Sequence, residues 1–555
     1  MSPTTAPAPT APGETRGSRA TLPALLLDHA GARPKAAALR QKELGIWREV
    51  SWEEYASRAA GIGLGLVELG VRAGERVAIQ SSNRHEWLLA DAGIQGIGAV
   101  SVGLYPTSPP AQVEFLLRHS ESMVLIAENE EQLDKALEVR GSLPNLEKII
   151  VVDTRGIREL VDPMLMSLDE LEAVGRQRTR EEWAERVRAL EPSDTAAIIY
   201  TSGATGRPKA AMLSHANLVA AATATAEAFG AKPSDEVFSY LPMCHAVERV
   251  CSSAAALEAG YTVNFGEGAE SFTIDMAEVQ PSIFLGVPRI WEQLASSLLT
   301  RIEASGRVQR SVFNFWVKRG AKAAERQRHG RGRGFWDLLG RFELYRSVRK
   351  KLGLRRARVA ISTAAPVAPS ALEFFWSIGV PVREGYGLTE FTGLATLNPS
   401  DDVRIGGVGT ALSGVEVRIL DDGEVVLRGP TIFGGYFRDS GSERVVDGEG
   451  WLRTGDLGIL DDDHLTITGR KKAVIITSGV GTSLRPPSSA DSLRRATSRT
   501  WLSWATAPRT CRRSSRSSRP PSRPGRGPRV STSRPSRTWW PSLRSARSSA
   551  RWSTA

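Results

Sequence analysis

Residues 200 to 215, "YTSGATGRPKAAMLSH", gather the hydroxyls of Thr201, Ser202 and Thr205, the glycines Gly203 and Gly206, and the ammonium of Lys209 into one short stretch. Glycine lets backbone N–H groups curl around an anion, while hydroxyls add donors and lysine adds charge. The chemistry such a loop serves is the holding of phosphate oxygens. In a Walker loop the lysine follows the last glycine directly and opens a helix, whereas here Arg207 and Pro208 stand between Gly206 and Lys209. That spacing disfavours a P-loop NTPase. Taken alone, the same residues also describe a tight turn.

Four further segments follow in order: "STAAP" (362 to 366), "EGYGLTEFTG" (384 to 393), "GWLRTGDLG" (450 to 458) and "LTITGRKK" (465 to 472). With the loop they make five ordered motifs, and in these the sequence resembles the AMP-forming acyl-CoA synthetases, the AMP-binding or ANL superfamily. The resemblance runs from about Thr21 to Gly479. "NRHEW" (83 to 87), "LYPTSPP" (104 to 110), "LPMCHAVER" (241 to 249) and "GVPRIWEQL" (286 to 294) look like the long-chain fatty acid-CoA ligase branch. The resemblance implies ATP, Mg²⁺ and CoA as co-substrate, with a fatty acid carboxylate attacking the α-phosphorus and expelling pyrophosphate. Such a site must neutralise a polyanion and hold nucleophile and leaving group in line.

Carried over residue by residue, the resemblance assigns Thr201, Ser202, Gly203, Thr205, Gly206 and Lys209 to the β and γ phosphates. Glu390 ligates Mg²⁺, a hard cation suited to carboxylate and phosphate oxygens, and Thr389 touches the α-phosphate. Tyr386, after Gly385, stacks on adenine beside the Ala364 and Ala365 backbone; Asp456 and Arg470 hold the ribose hydroxyls. His245 is placed near the acyl tunnel and phosphate site, with a histidine packed on an apolar face as the alternative. Ala204, Ala210 and Thr363 depart from the usual pattern, but none removes a charged group, so altered affinity is expected rather than lost nucleotide binding.

The elements that must position these residues read as α/β. Between Leu22 and about Asp462, short Val/Ile/Ala/Leu runs such as "RVAIQ" (76 to 80), "SMVLIAE" (122 to 128), "KIIVVD" (148 to 153), "TAAIIYTS" (195 to 202) and "ARVAIST" (357 to 363) alternate with helical patterns. That alternation predicts parallel sheets flanked by helices, and the resemblance implies that they build a large multi-subdomain adenylating domain over residues 21 to 470. One helix is expected to open at Ser51, an N-cap three residues before Glu54. "EVRIL" and "EVVLR" predict a smaller β-rich part near 414 to 430. Residues 301 to 356 carry 17 Lys/Arg against 4 Asp/Glu with Phe, Trp and Leu interleaved. They read either as a solvated helical insertion or as a surface for anionic lipid headgroups.

Composition separates the chain's two ends from its middle. Residues 1 to 20 are small, polar and proline-rich, a disordered tail by composition. Three cysteines cannot form a disulfide framework, and no secretory signal or spanning run is legible, so the expected location is cytoplasmic, with peripheral membrane contact. From Val480 to Ala555 there are 17 Arg, no Lys and one Asp, a net +16 that leaves −5 for the other 479 residues out of a total of +11. This stretch also has 19 Ser and 9 Pro and no Ile, Phe, Tyr or Met, a composition unable to bury a core.

The resemblance implies a hinge at Lys472, with 471 to 479 as its remnant, then a small mobile domain that supplies a lysine and the CoA tunnel. No lysine follows Lys472. Reading Thr500 to Ala507 from the third base of each codon permits Val-Val-Val-Val-Gly-Asp-Gly, with the first Gly forced by Trp504 and Ala505. The same shift over Gly481 to Pro486 permits Asn-Val-Ser-Pro-Ala. Residues 480 to 555 are therefore expected to be an out-of-frame, disordered tail, and acyl-CoA formation to be impaired. The competing readings are a fatty acyl-AMP ligase loading a carrier protein and, from another class, a nucleic-acid binder built on the arginine tail. No RNA-binding fold signature accompanies that tail, and no specific nucleic-acid partner is expected.

Overall fold

The computed structural model describes residues 20–201, 207–328, 345–439 and 445–471. Expectations for residues 1 to 19, Ser202 to Gly206, the hinge Lys472 and the segment 480 to 555 lie outside the described residues.

The Val/Ile-rich runs form strands because β-branched side chains pack on a pleated surface and, when both faces are covered, leave no polar alternation. They assemble into a seven-stranded sheet in the order Leu165–Ser167, Lys148–Val151, Ser122–Ala127, Arg76–Gln80, Val100–Leu104, Thr195–Thr201 and Lys209–Ser214. All neighbours are parallel except the last pair, where Thr195–Thr201 turns back onto Lys209–Ser214 with Thr201 opposite Lys209. A nine-stranded sheet has a parallel centre running from Ala37–Glu43 through Thr262–Phe265, Glu236–Ser239, Ile283–Gly286 and Val359–Ser362 to Val382–Leu388. Antiparallel strands close both of its edges: Ile46–Ser51 at one, and Gly393–Leu397 then Thr410–Ala411 at the other.

The smaller β-rich part is a four-stranded antiparallel sheet, Glu416–Ile419, Glu424–Arg428, Leu452–Asp461 and His464–Arg470, as the alternating pattern predicts.

Helices cover the two larger sheets. Ser51 caps the helix Trp52–Glu68 by accepting a hydrogen bond from the Glu54 backbone N–H. That helix buries Trp52, Tyr55, Ile62, Leu64 and Leu66, and it packs tightly on the helices His85–Gly96 and Leu168–Gly175. A Cβ at Gly175 would stand 1.8 Å from the Gly61 carbonyl, so only glycine permits that helix contact. Trp52, Trp87, Trp183 and Trp291 are fully buried. Each removes a large apolar area from water, which fixes the helices that carry them.

Candidate active site

Two strands flank the segment expected to hold phosphate. Thr201 ends one and Lys209 begins the next, directly opposite in register. An irregular segment, residues 433 to 437, then lies along the outer edge of Lys209–Ser214. The Met212 N–H donates to the Gly435 carbonyl at 3.0 Å, the Gly434 N–H to the Met212 carbonyl at 2.9 Å, and the Phe437 N–H to the Ala210 carbonyl at 2.8 Å. This pairing caps a sheet edge that would otherwise expose free N–H and C=O groups. It also carries Tyr436 to the phosphate-side lysine: the Lys209 ammonium lies 4.8 Å from the Tyr436 ring centroid and 3.3 Å from an Asp439 carboxylate oxygen.

The same segment reaches Glu390. The Tyr436 hydroxyl donates to Glu390 Oε1 at 2.6 Å, and the Phe433 N–H donates to the Glu390 backbone carbonyl at 3.0 Å. A hydroxyl bonded this closely to a carboxylate is a charge-assisted contact. Burial and the adjacent carboxylate push the Tyr436 phenol well above its usual range, so it stays a donor. Glu390 and Thr389 sit on a single helical turn, Thr389–Phe391, directly after the strand Val382–Leu388.

Tyr386 lies on that strand, and its hydroxyl donates to Asp456 Oδ2 at 2.7 Å. Arg470 Nε reaches Asp456 Oδ1 at 2.9 Å from the neighbouring strand, where Asp456 and Arg470 are register partners. Asp456 is buried and Arg470 is 79% exposed. An ionised carboxylate offers about four acceptor sites, so two remain after the protein's own donors are satisfied. Tyr386, Asp456 and Arg470 thus meet, and Glu390 and Lys209 join through Tyr436.

"STAAP" starts at the C-terminal end of Val359–Ser362, and Ser362 is the register partner of Glu384 at the start of "EGYG". Ligand sites of open α/β sheets sit at this end of the strands. Ala364 adopts φ +74°, a left-handed conformation that costs an L-residue about 1–2 kcal/mol. Ala364 and Ala365 are exposed. Backbone strain held at an exposed loop is the pattern of a ligand clamp.

His245 is exposed at the start of the short helix Ala246–Arg249, which packs against Val382–Leu388 and Gly393–Leu397. Behind it, Glu248 is fully buried and accepts from the Ser239 hydroxyl at 2.6 Å and the Ser252 hydroxyl at 2.7 Å. Burial pushes its carboxyl up to about 7. The next residue, Arg249, is buried against Asp91 with its guanidinium over the Trp87 ring, joining "LPMCHAVER" to the helix that begins in "NRHEW". Tyr436 was not among the residues expected from sequence. Its signal was an aromatic after two glycines in "GGYFRD".

The residues present suit a magnesium ion held chiefly by substrate phosphates. Glu390 commits one carboxylate oxygen to Tyr436, leaving Oε2 for a cation, and Mg²⁺ commonly takes one or two protein carboxylates plus phosphate oxygens.

The α/β fold of this chain is shared with the anthranilate CoA ligase AuaEII in complex with anthranoyl-AMP, which superposes with a TM-score of 0.64 at 21% identity, covering 83% of this chain and 79% of that one. The sequence profile of the AMP-binding enzymes matches residues 26–437, and the chain belongs to that family. The long-chain-fatty-acid–CoA ligase FadD15 of Mycobacterium bovis is 33% identical over 493 residues, covering 86% of this chain and 79% of the ligase. The long-chain-fatty-acid–CoA ligase ACSBG2 of Xenopus laevis is 30% identical over 474 residues, and the chain spans 64% of its length.

Proposed function

We propose that this protein activates a long-chain fatty acid with ATP, forming acyl-AMP and pyrophosphate, the first half of an AMP-forming acyl-CoA ligase reaction. The observation that carries the reading is a pair of contact sets, Lys209 with Tyr436 and Glu390, and Tyr386 with Asp456 and Arg470, linked by the short segment from Tyr386 to Glu390, which suit a polyanion end and a nucleoside end. The identity to curated long-chain ligases supports the substrate class.

In the reaction a carboxylate oxygen bonds the α-phosphorus while the bond to the bridging oxygen breaks, and pyrophosphate leaves with its charge. Lys209 and the N–H groups of the loop carry charge on the β and γ phosphates. Thr389 would touch the α-phosphate. Glu390 would hold Mg²⁺, whose charge offsets that of the phosphate oxygens. Asp456 accepts the ribose hydroxyls, and Tyr386 sets the adenine plane. CoA is the expected acceptor, and acyl-CoA formation is expected to be severely impaired, because no lysine follows Lys472 to orient the carboxylate and the surface that would admit CoA falls in the stretch expected to be out of frame.

A non-hydrolysable long-chain acyl-sulfamoyl-adenosine tests the reading without requiring turnover. Calorimetry should find it bound at least a hundredfold more tightly than AMP, since buried CH₂ groups contribute about 0.8 kcal/mol each. Equal affinity for the acetyl and long-chain analogues would remove the fatty acid from the account.

A further inference from the structure

The basic stretch singled out from sequence is not among the residues assigned to the nucleotide site. Its longest described element is the helix Arg307–Arg328. One face of that helix is fixed inward: Phe313, Gly320 and Ala324 are buried, and the helix packs on Pro369–Ser377. A Cβ at Gly320 would lie 1.8 Å from the Ser377 carbonyl, so the two helices meet at a distance only glycine allows. Fixing the inward face fixes the outward one.

The outward face reads Val308, Val312, Phe315, Arg319, Lys322, Arg326, spaced alternately four and three residues apart. Val308 is 77% exposed, Val312 44% and Phe315 51%. A helix turned toward water alone has no use for an aligned apolar stripe, and these three side chains lie one turn apart on the side opposite Phe313. The stripe continues directly into cations, with the Arg319 guanidinium 5.0 Å over the Phe315 ring. The helix as a whole carries seven Lys/Arg and one acid, Glu325. Beside it, the Tyr345 hydroxyl donates to the Trp316 carbonyl at 2.7 Å and brings alongside the helix Arg346–Lys351, with four more cations.

We propose that the outward face of Arg307–Arg328 docks on an anionic lipid surface, with Val308, Val312 and Phe315 entering the headgroup boundary and Lys318, Arg319, Lys322 and Arg326 meeting lipid charge. An apolar stripe joined to a cationic one is what an interfacial helix presents. An uncharged protein partner leaves the cations unneutralised, and a nucleic acid leaves the three apolar side chains in water. The proposal does not depend on the reading of the nucleotide site.

The test uses the full chain, because its arginine-rich stretch 480 to 555 is itself a polycation and must be told apart. In a Cys511→Ser background, an environment-sensitive dye on Phe315→Cys reports insertion, while sedimentation with phosphatidylcholine vesicles, with and without phosphatidylglycerol, reports binding. The dye emission should shift to the blue only with anionic vesicles, and binding should fall as salt rises. Each Lys/Arg near such a surface changes partition by about fivefold, so K318Q/K322Q/R326Q should lower it by about a hundredfold. V312S/F315S should weaken binding while keeping its salt dependence. Equal sedimentation with neutral vesicles overturns the proposal. So does sedimentation without a dye shift, which places the contact elsewhere on the chain, and so does RNA competing equally well against wild type and V312S/F315S.

Discussion

Asp456 is proposed to accept the ribose hydroxyls, and Asp456→Asn isolates its charge. The substitution keeps the side chain's shape and one acceptor oxygen, so the Tyr386 hydroxyl at 2.7 Å retains a partner. The negative charge that the ribose hydroxyls would meet is lost. Hydrogen bonds to a charged group contribute about 1.5–3 kcal/mol, against about 0.5–1.5 for neutral pairs. Two hydroxyls each weakened by about 1 kcal/mol give a total near 2 kcal/mol, or about 30-fold in AMP affinity. Folding should change little, because Arg470, the other partner, is 79% exposed and an ion pair so placed is worth about 0–1 kcal/mol. Titration calorimetry with AMP on the two proteins reads the difference, and urea unfolding supplies the control. Affinities equal within threefold, with both proteins folded, would remove Asp456 from the nucleotide site.

Tyr436→Phe deletes the hydroxyl that fixes Glu390, so the gain in ATP affinity on adding Mg²⁺ should shrink by about tenfold while AMP affinity stays constant; an unchanged magnesium effect would leave Tyr436 without a positioning role. Lys209→Ala should weaken ATP by tenfold or more and leave AMP untouched if, as proposed, its ammonium meets the outer phosphates, and a parallel loss for both nucleotides would place it at the nucleoside end. Glu248 has a folded-state carboxyl near 7 against 4.5 unfolded, so the folded form holds its proton longer. Its contribution to stability is full below about pH 4.5, declines as pH rises to about 7 and is flat above that, a span of about 3 kcal/mol. Glu248→Gln cannot ionise, so the urea stability of wild type relative to this variant should drop between pH 5 and pH 8; a constant difference would show that Glu248 is ionised in the fold.

The parts of the site legible in sequence are those whose chemistry is local. Tyr386 and Glu390 fall within five residues, and Asp456 and Arg470 on adjacent antiparallel strands, so short motifs carry their relation. Ser51 and the strands at 76 to 80 and 195 to 201 were readable for the same reason, being set by capping and by runs of β-branched residues. Tyr436 was not, because its place depends on residues 433 to 437 pairing with a strand more than 200 positions earlier. Nor was the burial of Glu248, which in "CHAVER" looks like any solvated acid and is enclosed only when Ser239 and Ser252 fold around it. The strand order, with Ala37–Glu43 beside Thr262–Phe265, is likewise a tertiary choice that no window of sequence contains.

The proposal most in need of a test is that the residues around Lys209, Glu390 and Asp456 form an adenylating site, with its CoA-transferring complement expected to be out of frame after Gly479. Its most direct measurement compares two proteins, the 555-residue chain and the product of restoring the shifted frame after Gly479, by fatty-acid-dependent pyrophosphate release and acyl-CoA formation. Losing one positioned transition-state charge costs about 10²- to 10³-fold. The account predicts acyl-CoA from the restored protein and a rate at least a hundredfold lower from the 555-residue chain. Full acyl-CoA synthesis by the 555-residue chain, or no fatty-acid-dependent release by either protein, would contradict it.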